Sequence, residues 1–146
     1  MNDPTRQRAL LLLARRDHSR RELFQKLFSK GFSKNAIQQV LDDLENENLL
    51  NEERFISNFI RFRSTKGYGP LKICAELGKH GIDDSRIYAN DEWQVILWHE
   101  RAISARIKRF GEAIPQEKQE RIQQARFLQQ RGFAMEQIRI ALTNSL

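Results

Sequence analysis

The sequence predicts an all-α protein of three tandem three-helix repeats forming an elongated, curved array, and three observations lead there. Gly31, Gly81 and Gly132 recur 50 and 51 residues apart, each followed at once by Phe32, Ile82 or Phe133. Four residues before each glycine stands Leu27, Leu77 or Leu128, and seven before it stands Phe24, Cys74 or Ala125. That spacing puts both positions on one helical face, which reads as the buried side. No segment alternates apolar and polar residues as a strand would.

The chain opens with a helix over 5–17, whose Ala9, Leu10 and Leu12 take the same offsets as Phe59, Ile60 and Phe62 in the second repeat. Ser19-Arg20-Arg21-Glu22 is a capping box that starts a helix over 20–30. Gly31 ends it as a left-handed C′ residue, and Ser33 caps a helix over 34–48 with Phe32 stapled to Ile37. In the second repeat Asn51 caps a helix over 52–66, with Leu50 stapled to Phe55. Gly69-Pro70 then places proline at N1 of a helix over 70–80. Gly81, the cap Asp83 and the Ile82–Ile87 staple begin a helix over 84–89. The third repeat starts with a helix over 91–110, on which Trp93 and Trp98 read as core residues rather than ligand-stacking ones. The loop Phe110-Gly111-Glu112-Ala113-Ile114-Pro115 lengthens the connection to a helix over 115–131. The last helix covers 135–143, with the Phe133–Ile138 staple but with Ala134 as a poor cap that should let its start fray. The repeats divide as 1–50, 51–90 and 91–146. Units this short bury little surface alone, so neighbours support one another and line a shared binding face.

With 40% hydrophobic and 30% charged residues the chain can fill a core beneath a heavily ionised surface. Lys and Arg outnumber Asp and Glu by 25 to 19, and the net charge of +6 favours polyanionic partners. Cys74 is the only cysteine, which excludes an internal disulfide and a cysteine-based zinc site. His18, His80 and His99 lack the spacing that lets two imidazoles share a metal, and read as solvated residues near helix ends. Asp42-Asp43 and Glu52-Glu53 are helix neighbours that point about 100° apart, with no accompanying base or nucleophile. Gly67-Tyr68-Gly69 lacks the lysine and preceding strand of a phosphate loop and reads as a tight turn. No catalysis, cofactor or metal is therefore expected. No apolar stretch approaches the roughly 20 residues of a membrane span, and the first residues lack the order of a signal peptide. A cytoplasmic location is expected.

Charge is distributed unevenly. Residues 40–53 hold Asp42, Asp43, Glu45, Glu47, Glu52 and Glu53 with no base, whereas 54–72 hold Arg54, Arg61, Arg63, Lys66 and Lys72 with no acid. A further run, Arg15, Arg16, Arg20, Arg21, Lys26, Lys30 and Lys34, is interrupted only by Asp17 and Glu22. Stacking of the first two repeats would join these runs into a basic face beside an acidic one, suited to a partner carrying both phosphate and protein surface. Ordinary solvated helix faces are the alternative. Tyr68, between two glycines and flanked by Lys66 and Lys72, either projects to stack on a base or anchor a protein pocket, or packs inward. The candidate partner-binding and DNA-binding residues are Arg15, Arg16, Arg20, Arg21, Lys26, Arg54, Arg61, Arg63, Lys66, Tyr68 and Lys72.

The second repeat carries Leu49-Leu50-Asn51-Glu52-Glu53-Arg54-Phe55, then Arg61-Phe62-Arg63-Ser64-Thr65-Lys66-Gly67-Tyr68-Gly69-Pro70, then Glu76-Leu77-Gly78-Lys79-His80-Gly81-Ile82. This ordered set resembles the signature of the RecX regulators of the bacterial RecA recombinase. Leu12-Leu13-Ala14-Arg15-Arg16-Asp17-His18-Ser19-Arg20-Arg21-Glu22-Leu23 and Phe127-Leu128-Gln129-Gln130-Arg131-Gly132-Phe133 extend the likeness over nearly the whole chain. Asn51 replaces a usual acidic residue but caps equally well, and Leu71 replaces a common basic one, which removes one phosphate contact. The resemblance implies a monomeric modulator lying in the groove of the RecA filament on single-stranded DNA. There it would restrain filament growth, ATP hydrolysis, strand exchange and coprotease activity in recombinational repair and the SOS response. Two other readings stand beside it. One is a helix-turn-helix DNA-binding protein, for which Asn35, Gln38 and Gln39 offer base-reading groups while Asp42 and Asp43 oppose phosphate. The other is a protein–protein adaptor for which nucleic acid is irrelevant.

Overall fold

The computed structural model describes residues 3–146, and among these ten helices and no strand occur. They are α1 (Pro4–Arg15), α2 (Arg20–Ser29), α3 (Lys34–Asn46), α4 (Glu52–Thr65), α5 (Pro70–Lys79), α6 (Asp84–Tyr88), α7 (Asp91–Val95), α8 (Trp98–Phe110), α9 (Lys118–Gln130) and α10 (Met135–Thr143). Local chemistry explains most boundaries. Ser19 Oγ accepts from the Glu22 N–H at 3.1 Å, Ser33 Oγ from Ala36 at 3.2 Å, Asn51 Oδ1 from Arg54 at 2.9 Å and Asp83 Oδ1 from Arg86 at 3.0 Å. Ala134 offers no acceptor, yet its own N–H donates to Gln137 Oε1 at 2.8 Å, so this helix start keeps half of a capping box. The capping box expected at Ser19 is also one-sided, because Arg16 holds the Glu22 carboxylate.

The aligned glycines adopt φ of +95°, +83° and +95° at Gly31, Gly81 and Gly132. At each, the next N–H reaches back to the leucine carbonyl: Phe32 to Leu27, Ile82 to Leu77 and Phe133 to Leu128. These bonds define a Schellman motif, and Tyr68 N–H to the Arg63 carbonyl repeats it at Gly67.

The chain forms two compact units. The first comprises the described part of Met1–Asn58 together with Leu77–Asn90. Here α1, α2 and α3 pack pairwise around Ala9, Leu23, Leu27, Ile37, Val40, Leu41, Leu44 and Leu50. Ile37, Val40, Leu41 and Leu44 form the i, i+3, i+4, i+7 stripe that buries one face of α3. The second unit comprises Phe59–Glu76 and Asp91–Leu146. In it α8, α9 and α10 pack pairwise around Ala102, Ile103, Ala105, Leu128, Phe133, Ile138 and Ala141.

Three expectations change. The helix expected over 91–110 is two helices, broken where Leu97 is extended at φ −92° and ψ 94°. The break lets Trp98 fold against Trp93 with ring centroids 4.8 Å apart, whereas five residues on an unbroken helix would set them about 140° apart. The helix expected from 115 begins at Lys118. The preceding loop is tied down by the fully buried guanidinium of Arg106, which donates to the carbonyls of Gly111 and Ala113 and, at the end of α10, to Ala141 and Asn144. Finally, the most buried helix face lies one residue earlier than expected. Leu23 and Ile73 are fully buried, while Phe24, Cys74 and Ala125 are half-buried. In the third repeat that inward position is Gln124, 7% exposed, whose Oε1 has no hydrogen-bond partner.

Candidate nucleic-acid and protein interface

The acidic and basic runs of the sequence interleave in space. Within the first unit Arg20 spans Asp42 at 2.7 Å and Glu45 at 2.8 Å, Arg6 holds Glu47 at 2.7 Å, Arg86 holds Glu52 at 2.6 Å, and Arg54 grips Asp17 at 2.9 Å. Arg16 pairs with Glu22 at 2.6 Å, and Lys26 lies 3.8 Å from the same carboxylate. Burial, the largest single influence, would raise the Glu22 carboxyl, but the hydrogen bond and charge of Arg16, with smaller contributions from His18 and His80, together outweigh it and hold the group below its ordinary range. In the second unit Arg61 pairs with Glu92, and Arg63 pairs with Glu76 at 2.6 Å. The exposed pairs among these, such as those of Arg20 and Arg61, contribute roughly 0–1 kcal/mol each, so a stronger partner could take over either member. Of the eleven residues named from sequence, the cations Arg15, Arg21, Lys66 and Lys72 make no ion pair with a carboxylate among the described residues.

His18 is not solvated. It is 2% exposed, with Nδ1 3.1 Å from the Arg16 carbonyl and Nε2 3.0 Å from Lys26 Nζ. Nδ1 therefore carries the proton and Nε2 accepts from the ammonium. Burial lowers the imidazole pKa from its ordinary value.

Tyr68 packs half-buried inside the second unit rather than standing clear. The Arg63 guanidinium lies 3.8 Å from its ring centre, Arg131 at 4.9 Å and the Lys72 ammonium at 5.1 Å. The surrounding turn is fixed by backbone contact. Gly69 N–H donates to the Arg131 carbonyl at 2.7 Å and Leu71 N–H to the Gly132 carbonyl at 2.9 Å. A Cβ on Gly69 would sit 2.6 Å from backbone atoms of Gly132 and Phe133. The glycine before the proline is thus required because two backbones meet there. A related contact occurs in the first unit, where the Arg21 side chain lies against Gly81.

Three cations near this turn escaped the sequence reading. Lys66, Lys108, Arg109 and Arg131 line a cleft of about 220 Å³, with Gly67, Ala105 and Phe127 completing the wall. Lys108 and Arg109 are the last-turn bases of α8, and Arg131 caps α9. A signal for Arg131 existed. The residue before each aligned glycine is Lys30, His80 or Arg131, a base at the carbonyl end of each helix. No group of three or more His, Cys, Asp or Glu side chains able to hold a metal ion occurs among the described residues. None of their helices is long and apolar enough to cross a membrane.

Models of the first, second and third three-helix domains of RecX match residues 6–44, 51–88 and 99–142. The chain is 41% identical over 140 residues to a protein named regulatory protein RecX from Halorhodospira halophila, covering 96% of this chain and 87% of that one. It is 42% identical over 133 residues to a regulatory protein RecX from Pseudomonas entomophila, covering 91% and 86%. The crystal structure of RecX from Lactobacillus salivarius superposes with a TM-score of 0.74 at 20% identity, covering 94% of this chain and 92% of that one, a likeness of fold. With three domain models matched in order and relatives of this identity across nearly its whole length, the chain belongs to the RecX family.

Proposed function

We propose that this protein regulates the RecA recombinase, mainly as an inhibitor, by binding as a monomer in the groove of the RecA filament on single-stranded DNA. In this role it modulates filament growth, ATP hydrolysis, strand exchange and coprotease activity in recombinational repair and the SOS response. It acts in the cytoplasm, by binding and not by catalysis, through repeats bounded at 1–50, 51–90 and 91–146. Family membership supports the choice of partner. The observation that carries the mode of binding is the set of cations around Tyr68, of which Arg63 also holds Glu76, together with the adjoining cleft, whose walls carry no carboxylate. A surface of that kind suits phosphate, while the exchangeable pairs of Arg16, Arg20, Arg54, Arg61 and Arg63 suit a protein surface bearing its own charges. ATP hydrolysis by RecA on single-stranded DNA, followed while this protein is titrated, tests the reading, with binding to naked DNA measured in parallel. Inhibition at substoichiometric amounts with weak naked-duplex binding is expected. A tight, sequence-specific duplex complex without any effect on hydrolysis would reverse the conclusion in favour of a helix-turn-helix DNA binder.

A further inference from the structure

The structure assigns the Lys66–Lys108–Arg109–Arg131 cleft as a site for a backbone phosphate of single-stranded nucleic acid. This assignment rests on the regulator reading only for its choice of macromolecule. Elsewhere in the chain the guanidinium groups of Arg6, Arg16, Arg20, Arg54, Arg61, Arg63 and Arg86 each lie against a carboxylate. In this cleft four cations converge, and no acid lines it. Such crowding costs Coulomb energy in the empty state, and an entering anion relieves it.

The cations are held without being neutralised. Arg131 lies between the Tyr68 ring at 4.9 Å and the Phe127 ring at 5.0 Å, with Nη1 3.5 Å from the Lys66 carbonyl. Arg109 lies over Phe110 at 5.4 Å and Phe127 at 5.9 Å, and those two rings meet edge to face at 5.4 Å. Aromatic contacts restrict each guanidinium plane while leaving N–H edges for a phosphate, so less side-chain entropy is lost on binding. Two guanidinium forks match the paired oxygens of a phosphodiester, and the two ammonium groups supply further charge. A recess of about 220 Å³ takes a phosphate with a flanking sugar or base. A flexible single strand can bend that into place, whereas duplex DNA resists such local bending.

The test uses the full chain and a fluorescein-labelled oligo(dT), read by anisotropy across a salt series. The double variant Lys66→Glu with Lys108→Glu is compared with a charge-matched control, Lys118→Glu with Arg121→Glu, on the exposed start of α9. Circular dichroism verifies that both retain their helices, and Arg131→Gln provides a second probe that adds no negative charge. The cleft variant is expected to bind at least about tenfold more weakly than the control, with the slope of log affinity against log salt reduced by roughly 1.4 for two lost phosphate contacts. Equal weakening in cleft and control variants, or an unlabelled polyglutamate peptide displacing oligo(dT) more effectively than oligo(dT) itself, would overturn the assignment. So would an absence of oligo(dT) binding by the parent chain. RecA hydrolysis measured on the same proteins separates the two proposals. Inhibition by the parent chain with an inert cleft removes only the phosphate site, and phosphate binding without inhibition removes only the regulator reading.

Discussion

Replacing Gly69 with alanine tests the backbone contact that organises the second unit. The added methyl carbon would lie 2.6 Å from the Gly132 carbonyl carbon, its oxygen and the Phe133 nitrogen, all of them main-chain atoms with no rotamer to escape into. Overpacking of this kind costs about 1–3 kcal/mol. Separation would also stretch the 2.7 Å bond from Gly69 N–H to the Arg131 carbonyl and the 2.9 Å bond from Leu71 N–H to the Gly132 carbonyl. At about 1 kcal/mol each these bring the loss to roughly 3–5 kcal/mol, a fall in Tm of about 10 °C for a chain of this size. Gly78→Ala is the matched control, since it lies within α5 and its new methyl would meet nothing within 4 Å. Helix propensity then favours alanine by about 0.5–1 kcal/mol, so the melting temperature should rise slightly. Thermal melts followed by circular dichroism read both variants. A Gly69→Ala protein melting within about 2 °C of the parent would refute the claim that this approach of backbones fixes the turn.

Gln124→Leu should stabilise the protein by about 1–2 kcal/mol, because it fills the position held by Leu23 and Ile73 in the other repeats and removes an unpaired buried oxygen. A higher urea midpoint at unchanged m-value is the expected readout, and a lower midpoint would mean that an ordered water satisfies the amide. His18 should make stability depend on pH. The unfolded chain protonates this imidazole near its ordinary value of 6.5, while burial in the folded state, aided by the charges of Arg16 and Lys26, holds protonation off to lower pH. The unfolded state thus binds more protons as pH falls below about 6.5, so stability declines there and levels off beneath the folded-state value. His18→Gln should flatten that decline in urea titrations between pH 7.5 and 5, and an unchanged slope would assign the effect elsewhere.

Much of the fold was legible because its determinants are local. The Schellman glycines, the caps Ser19, Ser33, Asn51 and Asp83, and Pro70 at the start of α5 act within a few residues along the chain, so their spacing alone announces helix ends. The break at Leu97 was hidden because it depends on Trp98 returning to Trp93, a packing choice that helix periodicity cannot express. The basic residues were visible, but their partners were not. Arg20 finds Asp42 and Glu45, and Arg54 finds Asp17, across sequence separations that only the fold closes.

By itself the sequence determined the helical class, the threefold recurrence and the family signature, since each is written in spacings shorter than one repeat or in the period between repeats. Tertiary structure alone decided which cations remain uncompensated, why Gly69 admits no side chain, and that Lys66 shares a cleft with Lys108, Arg109 and Arg131. Charge compensation and close approach depend on distances through space, and residues some forty to sixty-five positions apart become neighbours only when helices pack.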